Sequence, residues 1–377
     1  VQQNPTLWRD PATHLAREQP DQPVLYFDPA LLQATARRFQ DGFDGLVTYA
    51  VKANDSASVL DNLVAAGLTA FDVASPAEMA AVRRALPSAI LHYNNPVRSV
   101  AEIAAGINAG VSSWSVDDMG ELQKLQAVPR DCEVAVRFAL PVSGAAYDFG
   151  AKFGATPDRA VALLRAVVDM GFAPSLCFHP GTQCEDPTVW AIYIKAAADI
   201  AQNAGVTLGR LNVGGGFAAH RGPVVPDLDA VFAVIDRAVA EAFGPQCPDL
   251  LCEPGRAMVA EAFSLAARVK AVRGDEQVFL NDGIYGGLAD LRDMALSHRV
   301  RVYAPDGQLR LGAPRPRVVF GPTCDSLDRL PDGLPLPDDM QAGDYVLFDA
   351  MGAYSIAMST AFNGYGLRDV ISTQSLR

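Results

Sequence analysis

From about Val24 onward, short apolar runs alternate with longer Ala- and Leu-rich segments. The short runs are 46–51, 70–73, 89–92, 111–115, 133–138, 174–178, 211–213 and 250–252. They are brief and almost continuously apolar, as strands buried on both faces are. The segments 56–66, 76–85, 100–109, 116–126, 157–170, 187–204 and 228–242 read as helices, and Ser75-Pro76 and Thr156-Pro157 are good helix starts. Strands alternating with helices predict parallel βα units. Eight of them suit an α/β fold with a closed, TIM-like (βα)8 barrel better than an open sheet.

After Arg256 the pattern changes. The runs 260–272, 277–280, 299–303, 316–320 and 344–348 are β-rich, separated by Gly, Pro and Asp turns without a long helix. They predict a C-terminal all-β domain, a sandwich or small barrel, with 330–337 as a loop inside it. The expected division is a barrel over 24–256 and a β domain over 257–377 that takes in part of 1–23, where 8–17 is an amphipathic patch.

Against this frame the polar residues fall into phase. Lys52, Asp72, His92, Arg137, His179, Gly214 and Glu253 all stand at or just beyond the carboxyl ends of the eight runs. In a parallel barrel those ends form one rim, where active sites are built. Each residue alone is ambiguous. Lys52 is either a solvated strand-end lysine or a desolvated, nucleophilic amine of the imine-forming kind. Gly214-Gly215-Gly216 is either a tight turn or a nest for a phosphate, and it has neither dinucleotide spacing nor a P-loop lysine. Glu253 and Arg256 make a rim salt bridge or hold two ends of one ligand. His179, with Thr182 three residues on, is structural or stacks on a ring beside a hydroxyl. In the second domain Cys324-Asp325 sets a thiol beside a carboxylate. No second cysteine or histidine lies near enough in sequence to predict a metal site there.

Composition narrows the partners. A chain of 377 residues, half of them apolar, can bury a large core. Its net charge of −12 argues against nucleic acid or an anionic membrane surface and mildly favours a cationic substrate. The six scattered cysteines contain no CxxC pair and read as reduced thiols. No run reads as a signal peptide or a membrane span, so the expected location is cytoplasmic.

The motifs together resemble one family. Tyr49-Ala50-Val51-Lys52-Ala53-Asn54, Phe71 to Ser75, His179 with its Gly and Thr, Asn212 to Phe217, Glu253 to Arg256, Gly321 to Asp328, Gly352 to Tyr354 and Phe362 to Gly364 occur in this order in the ornithine/diaminopimelate decarboxylases. These are pyridoxal 5'-phosphate (PLP) enzymes of the alanine-racemase-like fold, and the resemblance spans almost the whole chain. It implies that Lys52 carries PLP. Gly214, Gly215, Gly216, Gly255, Arg256 and Tyr354 would serve its phosphate with Thr182, and His179 would stack on the ring. Asp72 and Arg137 would lie near the lysine and ring hydroxyl. Glu253 would bond the ring nitrogen, where the racemases of this fold put an arginine, so the resemblance favours decarboxylation. It further implies a homodimer with shared sites, in which the partner's Cys324 returns a proton to the substrate.

The Gly-Pro-Thr-Cys-Asp form around Cys324 is similar to the ornithine/lysine branch, where the aspartate, here Asp325, meets the distal ammonium. Tyr285 and Phe362 would line the same pocket. A second family aspartate, in a Tyr-Asp-His run, is missing. Ser297 stands in its place, with Asp293 or Asp290 as substitutes and Arg292 between them. The expected activity is conversion of L-ornithine to putrescine in polyamine biosynthesis, with L-lysine as a further substrate. Decarboxylation of diaminopimelate or an arginine-like amino acid, and a non-catalytic binding role, stay open at this point.

Overall fold

The computed structural model describes residues 7–141, 152–274, 276–294, 299–331 and 333–377, and it divides into two compact units. One spans Thr35–Ala218 and Pro226–Ala257; the other gathers Val1–Ala34, Ala219–Val225 and Met258–Arg377. Strands are numbered along the chain. Strand β1 is Val24–Phe27. Strands β2 (Leu46–Ala50), β3 (Ala70–Asp72), β4 (Ile90–Tyr93) and β5 (Val111–Val116) follow, then β6 (Glu133–Arg137), β7 (Ala173–Cys177), β8 (Arg210–Asn212) and β9 (Asp249–Cys252). The remaining strands are β10 (Phe263–Arg273), β11 (Gln277–Leu280), β12 (Val300–Tyr303), β13 (Pro314–Phe320), β14 (Leu334–Pro337), β15 (Tyr345–Asp349) and β16 (Asp369–Ser372).

Strands β2 to β9 pair in sequence order, all parallel, and β9 closes on β2, giving the expected barrel. The helices between them end where local chemistry dictates. Val100–Ala109, for example, starts with a reciprocal Ser99–Glu102 capping box and stops at the left-handed Gly110. Short polar side chains fill part of the barrel interior, each with a partner. Thr48 Oγ1 donates to Cys252 O (3.0 Å), Ser175 Oγ to Arg210 O (3.0 Å) and Ser113 Oγ to Glu133 Oε1 (2.7 Å).

The second unit is an eight-stranded sheet ordered β12-β15-β10-β11-β13-β14, with β1 paired to β10 and β16 paired to β1. This corrects the expected boundary. Residues from Val24 to Ala34, together with Ala219–Val225, belong to the β unit, because β1 finds its backbone partners on β10 and β16. A four-residue apolar strand does not encode which sheet it joins.

Two local expectations also change. The helix Pro29–Gly42 was not foreseen, although Asp28-Pro29 is a start signal and the Asp28 carboxylate accepts from Leu31 N at 3.0 Å. The segment read as a Pro-rich loop contains β14, antiparallel to β13. Its prolines are tolerable because β14 is the last strand of the sheet and Pro335 and Pro337 face Pro316 and Pro314. Among the described residues no helix is long and apolar enough to cross a membrane.

Candidate active site

The carboxyl ends of the barrel strands enclose a cavity of about 210 Å³. Lys52, Asp72, Arg137, His179 and Glu253 all line it, as their shared phase predicted, and Asn94, Asn95, Cys177, Lys152 and Phe153 complete the wall. Lys52 sits in a single 3-10 turn, Val51–Ala53, that directly continues β2. Backbone N–H of Ala50 donates to Pro254 O (3.2 Å), and Gly255 packs against Ala50 and Ala53. The lysine and the Glu253 loop are thereby tied through the backbone.

Glu253 is held by two amides. Asn94 Nδ2 and Asn212 Nδ2 both donate to its Oε1, each at 2.5 Å. Asp72 is buried, and burial followed by the neighbouring Glu253 charge pushes its carboxyl well up, against the opposing pull of Lys52. His179 is driven the other way, well below the ordinary imidazole range, by burial first and then by Lys52 and Arg137. Its Nδ1 accepts from the Gly181 backbone N–H at 3.1 Å, so the ring is neutral and its proton is on Nε2. The Arg137 guanidinium lies 5.3 Å from the Phe153 ring centre.

The glycine turn follows β8. Gly214 and Gly216 have φ of 73° and 84°, and a Cβ at Gly214, Gly215 or Gly216 would collide with the carbonyl of Phe178, Glu253 or Gly181 respectively. Only glycine fits, because the turn packs backbone against those three carbonyls; Gly214 and Gly215 are buried and Gly216 is partly exposed. Thr182 is half-buried beside this turn and is not in the cavity wall; Arg256, almost fully buried, opens the short helix Arg256–Val259.

His92 departs from the predicted register. It is fully buried inside the barrel, does not line the cavity, and is pushed down to about 3 by burial and then by Arg210. Arg210 in turn pairs with Glu133 at 3.3 Å, so His92 belongs to a buried polar layer of the barrel. Asn94 and Asn95 are site residues that the sequence reading missed. Their signal was present, since they directly follow the apolar run ending at Tyr93, but a neutral amide carries no chemistry of its own to flag it.

The β unit carries a second cluster. Tyr285 OH donates to Asp325 Oδ2 at 2.6 Å, Leu327 N donates to Oδ1 at 2.9 Å, and the two bonds hold the half-buried Asp325 carboxyl below its usual range. Phe362 stacks at a tilt on Tyr285, with ring centres 5.1 Å apart. Cys324 is exposed, and its N–H and Sγ both donate to Asn363 Oδ1, at 3.1 and 3.3 Å. The loop is anchored by Asp328, whose Oδ2 accepts from Thr323 N (3.0 Å) and Oγ1 (2.7 Å) while Oδ1 accepts from Ile284 N (3.0 Å). Asp290 is corrected as a substitute for the missing aspartate, because it is buried against Arg221 at 2.7 Å. Asp293 is exposed and doubly bonded to Arg292, at 2.9 and 2.7 Å, so its charge is compensated. Ser297 and His298 lie outside the described residues. Tyr354, also in the β unit, has a left-handed φ of 61°.

A lysine on a parallel-barrel rim, facing buried carboxyls and a neutral histidine beside a glycine cradle, defines a site for a phosphorylated, imine-forming cofactor. Two observations show that these residues fit PLP. The glycine turn excludes any Cβ, and Asp72 Oδ1, in the cavity wall, is a buried polar atom without a hydrogen-bond partner among the described residues. The comparisons agree. A profile described as "Pyridoxal-dependent decarboxylase, pyridoxal binding domain" matches residues 30–260, and the chain belongs to that family of PLP-dependent decarboxylases. It is 31% identical over 350 residues to the ornithine decarboxylase of Mus musculus, an alignment covering 84% of this chain and 73% of the relative. It is 30% identical to the lysine/ornithine decarboxylase of Selenomonas ruminantium, covering 86% and 82%. Among solved structures, the Vibrio vulnificus lysine/ornithine decarboxylase complexed with cadaverine superposes with a TM-score of 0.82 at 27% identity, covering 96% of this chain and 95% of that one. The protein is a PLP-dependent decarboxylase of basic amino acids.

Proposed function

We propose that the protein converts L-ornithine to putrescine and carbon dioxide, accepts L-lysine as a second substrate, and acts as a homodimer whose sites are shared between copies. The observation that carries the substrate reading is the Tyr285–Asp325 bond. It presents an ionised carboxylate at the surface of the β unit, charged and oriented for a distal ammonium. Asp290 and Asp293 are both committed to arginines, which leaves Asp325 as the acidic group of this motif set to receive it. Lysine is included because relatives named for both substrates match over most of the chain.

When bound, PLP supplies an electron-accepting ring for the pair left by departing carbon dioxide. The chain does the rest. Lys52 anchors the cofactor covalently, and the glycine turn holds its phosphate together with Arg256, Gly255, Thr182 and Tyr354. His179 packs on the ring as a neutral plane. Glu253 keeps a proton on the ring nitrogen, so the ring can accept electrons. Asp72 and Arg137 set the polarity at the lysine end. The Cys324 thiol of the second copy delivers the proton that replaces the carboxylate on the α-carbon. Tyr285 and Phe362 flank the side chain, and Asp293 lies at the edge of that pocket. The acidic chain and its reduced thiols suit a cytoplasmic setting and a role in polyamine formation.

The test offers ornithine, lysine, arginine and diaminopimelate together to the purified protein and identifies the amines formed. Putrescine is expected first and cadaverine second. Agmatine as the main product would overturn the substrate reading. A colourless protein that takes up no PLP, with no label on Lys52 after borohydride reduction, would overturn the assignment of the site.

A further inference from the structure

Two neutral amides converge on one oxygen of Glu253, and their roles go beyond gripping the cofactor. Asn212 is oriented by a donor of certain identity. Backbone N–H of Gly214 lies 2.9 Å from Asn212 Oδ1, so that oxygen must accept and Nδ2 must face Glu253, which it does at 2.5 Å. The link is returned through the backbone, because Glu253 N donates to Gly214 O at 2.8 Å. One side chain therefore connects the glycine turn to the carboxylate.

Asn94 reaches the same oxygen from the opposite part of the barrel, and its own backbone is clamped. Ser115 Oγ donates to Asn94 O at 2.8 Å, while Arg98 Nη1 donates to Tyr93 O and Asn95 O at 2.9 and 2.8 Å. Arg98 is fully buried, donates also to Ser115 O, and lies over the rings of Tyr93 and Trp114, 5.1 and 5.4 Å from their centres. Such an expensive buried cation makes physical sense if it fixes the 93–95 backbone and so delivers the Asn94 amide to one point.

We propose that Asn94 and Asn212 are positioning residues for Glu253. Their two N–H donors occupy Oε1 and fix the carboxylate plane, which reserves Oε2 for the ring nitrogen of PLP. Asn212 additionally couples that end of the site to the phosphate-binding turn. The proposal rests on the reading of Glu253 as the ring-nitrogen partner. A glutamate free to rotate would lose ordering entropy each time it met the ring, and the amides remove that cost in advance.

The experiment is a double-mutant cycle read by PLP affinity, with turnover as a second readout. Asn94→Ala should weaken PLP binding roughly tenfold or more, the scale of a lost hydrogen bond to a charged group. On a Glu253→Ala background the same substitution should cost less than about twofold, because the group it positions is gone. Asn212→Ala should cost more than Asn94→Ala, since it also releases Gly214. In the single variants kcat should fall more than KM rises. Equal losses on both backgrounds, or no loss from Asn94→Ala, would overturn the proposal. If Glu253→Ala alone leaves PLP affinity and turnover unchanged, the reading of Glu253 itself fails, which is a separate outcome. Melting of the cofactor-free variants shows whether a loss reflects unfolding, and Asn94→Ser gives a second probe that keeps a small polar side chain but cannot reach Glu253.

Discussion

The barrel site and the Cys324–Asp325 loop of the β unit solve opposite problems. In the barrel, Asp72, Asn94, His179 and Glu253 are buried or nearly so, and each is fixed by backbone that also closes the barrel. Burial pushes the Asp72 carboxyl up and the His179 imidazole down. In the β unit, Cys324 and Phe362 are exposed and Asp325 is half-buried, and a few local bonds to Tyr285, Asn363 and Asp328 hold the loop. The difference teaches where each function can be written. Cofactor chemistry needs groups whose charge is decided in advance, and only a closed, dry framework gives that. Substrate choice needs a charge that stays ionised until a cation covers it, which a half-buried aspartate held by two hydrogen bonds provides.

The contrast can be broken most directly at its strongest point. Lys52→Ala should lower turnover by roughly 10⁴-fold or more, the scale of deleting a covalent catalytic group. Steady-state assay of the purified variant checks this, and near-normal turnover would remove Lys52 from the chemistry. Cys324→Ala should reduce kcat by about 10²- to 10⁴-fold, the usual range for one acid–base group, with little change in KM. A KM effect instead would mean that the loop serves binding alone.

Asp325→Asn sharpens the comparison further. It should lower kcat/KM for ornithine by roughly 10- to 100-fold and affect an uncharged analogue much less, because the desolvated charge pair is what it removes. Equal losses on both substrates would show that Asp325 does not choose between them.

The smallest effect concerns the buried layer beneath the cavity. His92 is held at about 3 against an ordinary value of 6.5. As pH falls through 6.5 the unfolded chain takes up a proton that the folded one refuses. The neutral His92 therefore contributes full stability above pH 6.5, and this is lost progressively as pH falls toward 3. The slope is about 1.4 kcal/mol per pH unit for one proton. Melting measured from pH 7 to 5 should fall less steeply for His92→Asn than for the parent. Asp72 and Glu78, whose carboxyls are raised, act with the opposite sign in both proteins and so cancel in this difference.

Sequence periodicity located the eight barrel strands to within a residue or two, because a strand buried on both faces must be apolar along its length and its flanks need not be. The Pro76–Ala85 and Pro157–Asp169 helices were equally legible, through the Ser75-Pro76 and Thr156-Pro157 starts. The ends of the strands then marked Lys52, Asp72, Arg137, His179 and Glu253, since a parallel barrel brings those ends to one rim.

What the sequence determined, then, was the barrel, the β-rich second unit and the charged residues of the rim, because burial periodicity and strand direction are local properties. Only the tertiary structure decided which groups those residues meet. It assigned β1 to the β sheet and turned His92 into the barrel interior. It spent Asp290 on Arg221, and it joined Asn94 and Asn212 across the barrel at one oxygen of Glu253. A hydrogen bond between residues 159 positions apart depends on the closure of the whole barrel, and no local pattern can encode it.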